Sequence, residues 1–228
     1  MVVPRQICRW HAHASLNALQ DAAAQSISQC AERAIAERGR FRIVLAGGNT
    51  PRAIYEKLRN AKTDWASWEI YFGDERCLPP EHPERNSLMA NEAWLGHVPI
   101  PQNQIHAIAA ELGPIEGARR YSEILNRVDD FDLVLLGLGE DGHTASLFPE
   151  KDWDEQDAFA VFDSPKPPPE RVTLSPARLS ASRSVYFLVS GESKRQAVSN
   201  WRSGIPIPAT FISPVSGVDI YIESHLLG

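Results

Sequence analysis

The sequence predicts an α/β fold: a central, largely parallel β-sheet with helices on both faces. Three observations lead there. Short apolar runs rich in Val, Ile, Leu and aromatic residues alternate with helical patterns along most of the chain, which is how βα units read. One run, "FDLVLLGL" at 131–138, is apolar without a polar alternation, as a strand covered on both faces must be. Three runs end in glycine-rich or charged loops, and the carboxyl ends of strands are where open α/β sheets bind ligands.

The elements follow in order. Residues 14–38 read as a long amphipathic helix, with Leu16, Leu19, Ala23, Ile27, Cys30, Ala34 and Ile35 at the three-and-four spacing of one face. Ser15 is its expected N-cap and Gly39 its stop. A strand "FRIVLA" (41–46) leads through "GGNTP" into the helix "RAIYEKLRNA". "WEIYFG" (68–73) is a strand, and the polar loop "DERCLPPEHPER" runs into a helix near 86–95. "QIHAI" (104–108) reads as a strand and "IEGARRYSEILNRV" (115–128) as a helix. Later strands are expected at 158–163, 171–175, 184–189 and 218–224, with a helix over 193–201. The Pro-rich stretch "SPKPPPER" (164–171) is too short for a linker and reads as an ordered surface loop. With no repeat and no linker, one domain is expected over 1–228.

Composition narrows the function classes. A chain of 228 residues that is 43% hydrophobic and 23% charged is an ordinary globular composition, large enough to bury its core without staples. A formal charge of −6 argues against nucleic acid or an anionic membrane as the main partner, while leaving room for a local basic pocket. Cys8, Cys30 and Cys77 are widely spaced and odd in number, so neither a disulfide framework nor a zinc site is expected. The first residues, "MVVPRQICRWHAH", lack the apolar core of a signal peptide. No apolar run nears the roughly 20 residues that span a bilayer. A cytoplasmic protein is expected, with no metal or cofactor, as a monomer or weak homodimer.

Three loops carry chemistry. In "LAGGNTPRAIYEKL", Gly47 and Gly48 leave the strand, Thr50 reads as N-cap and Pro51 as the first helical residue. Free N–H groups at such a helix start, with Gly47, Gly48, Asn49 and Thr50 around them and Arg52 nearby, suit a phosphate. In "YFGDERCLPPEHPERN", Asp74 and Arg76 stand at a strand end, and Asn86 is positioned to open the next helix beside them. Such charges are often only solvated, yet a carboxylate beside a guanidinium also suits hydroxyls and an anion. In "DLVLLGLGEDGHTASLFP", Gly137, Gly139 and Gly142 allow tight turns that would carry His143 over the sheet edge. Histidine is the natural general base near neutral pH. Asp141 or Glu140 could hold its ring, or contact substrate hydroxyls instead. Arg171 opens a later strand, and Lys194 begins a helix where a cation opposes the dipole unless an anion shares the site. Ser146, three residues past His143 on an expected helix, has no adjacent base to make it a nucleophile.

Taken together, "LAGGNTPRAIYEKL", "IYFGDERCLPPEHPERN", "DLVLLGLGEDGHTASLFP", "RVTLSPARL" and "GESKRQAV" resemble the glucosamine-6-phosphate isomerase/6-phosphogluconolactonase family, in the family's order, over residues 43–198. The resemblance implies a Rossmann-like α/β sheet and no metal or organic cofactor. It also implies hydrolysis of 6-phospho-D-glucono-1,5-lactone to 6-phospho-D-gluconate, the second step of the pentose phosphate pathway. It gives His143 the place of the general base and puts Arg76, Arg171 and Lys194 in the basic positions around the sugar phosphate. Gly47, Gly48, Asn49, Thr50, Asp74 and Asn86 would line the same site. One departure stands out: the family often has Ser-Asn-Tyr where this chain has Arg85-Asn86-Ser87.

The family's other branch isomerises and deaminates amino-sugar phosphates with a loop similar to "DGHxAxNEP", in which an acid precedes the proline. Here Phe148 precedes Pro149, and a phenyl ring can neither orient an imidazole by hydrogen bonding nor relay a proton. Asp74 could still stand as the carboxylate base that isomerisation needs. A non-catalytic sugar-phosphate-binding protein is the remaining alternative. Regulators of that kind usually add a DNA-binding domain, for which the chain has neither room nor a basic stripe.

Overall fold

The computed structural model describes residues 6–228; Met1–Arg5, the start of the segment read above as carrying no leader, lie outside the described residues. The elements run β1 (Cys8–His13), α1 (Leu16–Arg38), β2 (Phe41–Leu45), α2 (Asn49–Leu58), β3 (Trp68–Phe72), β4 (Asp74–Arg76), α3 (Asn86–Ala93) and α4 (Pro114–Leu125). They continue with β5 (Leu133–Gly137), β6 (Ala158–Val161), β7 (Arg171–Leu174), α5 (Pro176–Ser180), β8 (Val185–Val189), α6 (Arg195–Arg202) and β9 (Val218–Glu223).

Six strands form one sheet in the order β1-β9-β8-β5-β2-β3, and every pairing in it is parallel. All five residues of β2 and all five of β8 are buried, so the sheet is covered on both faces, as the unbroken apolar runs require. Burying one such Leu, Val or Ile side chain stabilises the fold by about 1.5–3 kcal/mol. Helix α1 covers part of one face through Leu19, Ala23, Ile27, Cys30, Ala31 and Ala34. It starts and stops where its sequence says: the Ser15 hydroxyl accepts from the Ala18 N–H at 3.2 Å, and Gly39 takes a left-handed φ of 71° with its N–H on Ile35.

Several elements depart from the sequence reading. The strands expected at 158–163 and 171–175 exist but do not join the parallel sheet. With β4 they form a separate antiparallel sheet in the order β4-β7-β6. The charged triplet Asp74–Arg76, read as loop, is a strand because it pairs with Arg171–Thr173 of β7. Residues 104–108 make only an isolated bridge, Ile70 with Ile105, after a short 3-10 turn. The edge strand β1 was not anticipated: "CRWHAH" has no apolar run, and it is held by its ladder to β9 and by Trp10 meeting Trp201 edge-on at 5.4 Å. The stretch after His143 is no helix but a turn, with a bridge between Thr144 and Leu147.

Two buried tyrosines finish the sheet where the chain departs from it. The Tyr55 hydroxyl accepts from the Ala46 N–H at 3.0 Å and donates to the Ala46 carbonyl at 2.8 Å. The Tyr121 hydroxyl does the same for Phe72, at 2.8 and 3.1 Å. Each satisfies both backbone groups of the residue at a strand's carboxyl end.

Candidate active site

The carboxyl ends of β2, β3 and β5 open into a cavity of about 310 Å³ that lies between the two sheets, a size that suits a small molecule. Among its lining residues are Gly47, Gly48, Asp74, Arg76, Asn86, His143, Arg171 and Lys194. Residues read from five separate segments of the sequence thus meet in one space. Four others stand apart. Asn49 is exposed as the first residue of α2. Thr50 is not the N-cap: the helix begins one residue earlier behind Gly48, and the Thr50 hydroxyl bonds the Ser190 hydroxyl at 2.7 Å, tying the start of α2 to the loop after β8. Arg52 points away, toward Glu56 at 3.6 Å and Glu92 at 3.9 Å. Asp141 lies behind His143 rather than in the lining.

The imidazole is set by the turn that follows β5. The His143 carbonyl accepts from the Gly139 N–H at 2.7 Å, and Gly142 closes onto Gly139 at 3.1 Å. A Cβ at Gly139 would land on the imidazole ring, so only glycine lets the ring fold back there. Asp141 Oδ1 accepts from the His143 backbone N–H at 3.1 Å and sits 2.5 Å from Nδ1. Burial works against the Asp141 carboxylate, but these bonds from His143 outweigh it and hold its pKa below the usual range. An ionised Asp141 fixes the proton on Nδ1 and leaves the Nε2 lone pair free. Burial lowers the pKa of His143 itself, and Lys166 adds to that, against the opposing pull of Asp141 and Asp74. The Phe148 ring lies 4.8 Å from the imidazole, centroid to centroid, and supplies part of that dry surface. The imidazole is therefore neutral at neutral pH.

Opposite stands a buried polar network. Asn86 heads α3 and turns its amide back, donating to the Asp74 backbone carbonyl at 3.0 Å and to Asp74 Oδ1 at 3.1 Å. It presses so close to Gly47 that a Cβ there would overlap the amide. The Ser146 hydroxyl donates to Asp74 Oδ2 at 2.6 Å, so this serine orients a carboxylate. Behind them, Glu75 is fully buried and caps α3 from a distance. Its oxygens accept from the Asn86 N–H at 2.7 Å, the Ser87 N–H at 2.8 Å and the Arg76 N–H at 2.9 Å. Arg85, buried as well, brings its Nε within 3.2 Å of Glu75 and its Nη1 within 3.1 Å of Glu111. The departure Arg85-Asn86-Ser87 is thus the charge partner of a carboxylate that would otherwise be stranded.

Arg171 reaches the cavity but is largely committed. Its Nη2 donates to the Lys166 and Pro167 carbonyls at 3.0 and 3.1 Å, and its Nε to Pro168 at 3.1 Å. Its Nη1 lies 3.5 Å from the Ser146 hydroxyl and 4.0 Å from Asp74. Burial pulls the pKa of Lys194 down, and Lys166 nearby adds to it. Sequence reasoning missed Lys166, which lines the cavity from the Pro-rich loop and bonds Glu140 at 2.8 Å. It also missed Glu75, whose burial no local pattern signals. Among the described residues no group of three His, Cys, Asp or Glu side chains could hold a metal ion. No helix among them is long and apolar enough to cross a membrane.

The family described as glucosamine-6-phosphate isomerases/6-phosphogluconolactonase matches residues 14–221. A 6-phosphogluconolactonase of Nostoc is 35% identical over 196 residues, covering 80% of this chain and 82% of its own. One from Synechocystis is 38% identical over 200 residues, covering 80% and 81%. The crystal structure of the 6-phosphogluconolactonase from Thermotoga maritima superposes with a TM-score of 0.86 at 30% identity, over 95% of this chain and 99% of that one. The chain belongs to the glucosamine-6-phosphate isomerase/6-phosphogluconolactonase family.

Proposed function

We propose that this chain hydrolyses 6-phospho-D-glucono-1,5-lactone to 6-phospho-D-gluconate, within the oxidative pentose phosphate pathway, by general-base activation of water. The observation that carries the reading is His143: Nδ1 is held by Asp141, Phe148 lies against the ring, and Nε2 is free in a cavity that also holds Arg76, Arg171 and Lys194. In the isomerase branch an acid stands where Phe148 stands here, and a phenyl ring offers no proton path.

Nε2 takes a proton from a water beside the lactone carbonyl. The hydroxide oxygen bonds to C1, and the carbonyl electrons move onto oxygen as a tetrahedral oxyanion. When the C1–ring-oxygen bond breaks, its electron pair leaves on the ring oxygen, which receives the proton back from the imidazolium, and the carboxylic acid left at C1 gives its proton to solvent. General acid–base help of this kind is worth about 10²–10⁴-fold. The Gly47–Gly48 turn, the start of α2 and Lys194 would hold the phosphate, so that binding at a distance fixes C1 against the water. Asp74 and Asn86 would orient sugar hydroxyls, and Arg76 and Arg171 would add positive potential. The reading takes the enzyme as cytoplasmic, beside its soluble substrate, and as a monomer or weak homodimer.

The test is turnover of freshly prepared 6-phosphogluconolactone, corrected for spontaneous hydrolysis, by wild type and His143→Ala. Glucosamine 6-phosphate deamination is assayed beside it. Strong lactonase activity that collapses in the variant is expected. A folded wild type that turns over no lactone, or that deaminates the amino sugar instead, overturns the reading.

A further inference from the structure

Lys166 belongs to a loop that is built rather than loose. The Ser164 hydroxyl donates to the Lys166 carbonyl at 2.7 Å and accepts from the Lys166 N–H at 3.2 Å, and the Ser164 N–H reaches Pro169 at 3.1 Å. Arg171 clamps the carbonyls of residues 166, 167 and 168 from beneath. Four prolines in the eight residues 164–171 leave the unfolded loop few alternatives. The backbone that carries Lys166 is therefore held at a fixed place on the cavity wall. Its partner, Glu140, sits three residues before His143 in the same closed turn.

That location matters because an oxyanion forming beside His143 needs a positive partner. Arg171 has its donors on Pro168, Lys166, Pro167 and Ser146. Arg76 gives its Nη1 to the Glu84 carbonyl at 2.5 Å and keeps a buried Nε with no protein partner among the described residues, which leaves it to hold a second group of the substrate. Lys194 follows β8, on the side where the Thr50–Ser190 bond joins that loop to the start of α2, which suits the phosphate. Resting on the lactonase reading above, we propose that Lys166 is a catalytic residue, whose ammonium stabilises the oxyanion at C1 and then the carboxylate it becomes. Glu140, half in solvent, parks the lysine between turnovers and yields to the stronger charge inside the cavity. The electrostatic coupling of Lys166 to His143 fits the same placement.

The test compares Lys166→Gln and Lys166→Arg with wild type on fresh lactone, after circular dichroism and melting curves show that each is folded. Lys166→Gln should lose about 100-fold in kcat, the usual effect of removing one oxyanion donor, with KM changed less than about threefold, while Lys166→Arg recovers at least a tenth of the wild-type rate. Removing a cation near the imidazole also raises the apparent pKa of the base, so the midpoint of the kcat/KM profile should move upward in Lys166→Gln. An unchanged kcat overturns the proposal. So does a large rise in KM at constant kcat, which would make Lys166 a phosphate anchor, and so does a lower kcat with an unmoved midpoint. An inactive, folded wild type would instead sink the lactonase reading itself, which separates the two failures.

Discussion

The two sheets of this molecule are built on different physics. The centre of the parallel sheet is mostly apolar, with β2 and β8 wholly buried and Arg42, paired with Glu69 at 2.9 Å, as the charged exception in β2. The small antiparallel sheet also buries its residues, but many are polar: Asp74, Glu75, Arg171 and Thr173 are each less than a tenth exposed. The first is held by burial, which tolerates imprecision in direction. The second is held by hydrogen bonds and ion pairs, in which each group left unpaired costs more than a paired one contributes. The cavity lies where the two meet, taking its imidazole from the end of an apolar strand and its carboxylate and guanidinium groups from the polar sheet. Stability and site geometry should therefore separate in the first and travel together in the second.

Damage to the apolar sheet offers the sharpest break. Leu133→Ala, fully buried in β5, should destabilise the fold by about 2–5 kcal/mol in urea denaturation, while kcat/KM of the remaining folded protein stays near wild type. A matching loss of catalysis would erase the contrast. Glu75→Gln, in the polar sheet, leaves Arg85 with Glu111 as its one charge partner among the described residues and should cost about 3 kcal/mol. Here kcat/KM should fall as well, because Asn86 and Asp74 lose their frame; stability lost with kinetics intact would count against the network.

The pH profile is a finer probe. In the proposed mechanism His143 acts as the neutral base, and its pKa is lowered by burial, so kcat/KM should rise through a midpoint below about 6.5 and be flat at neutral pH. Asp141→Asn removes a charge that favours the imidazolium, and should lower that midpoint further as the rate falls. A wild-type midpoint above 7 would contradict the buried setting of the ring. The smallest effect belongs to Arg52→Ala. Its partners are half-exposed helix residues, so stability should change by less than about 0.5 kcal/mol, with KM for the lactone unmoved.

The same contrast explains what the sequence disclosed. Helix α1, with both its caps, and β5 were legible because period, capping and burial are local signals. The grouping of Gly47, Asp74, His143 and Lys194 could be anticipated because strand ends in an α/β sheet share one rim, whereas Arg171, which opens β7, was placed there by the family resemblance. The antiparallel pairing of β4, β6 and β7 could not. These strands are three or four residues long, and β4 reads "DER", polar enough to pass for loop until its partners are known. Thr50 satisfied every local rule for a cap, yet Ser190, 140 positions away, claimed its hydroxyl. Lys166 gave no local sign at all; its neighbours are prolines, and only the clamp from Arg171 brings it to the cavity.

The tyrosine hydroxyls at the ends of β2 and β3 bear on how such a protein can change over evolutionary time. Ala46 and Phe72 have their backbone groups satisfied by side chains from α2 and α4, so the sheet is finished before the chain enters the rim. Replacing a rim residue, or lengthening a rim loop, need not unzip the strand beneath it. A scaffold sealed in this way can trade one sugar-phosphate chemistry for another at its surface, as the two branches of this family have done, while the layer below goes on folding as before.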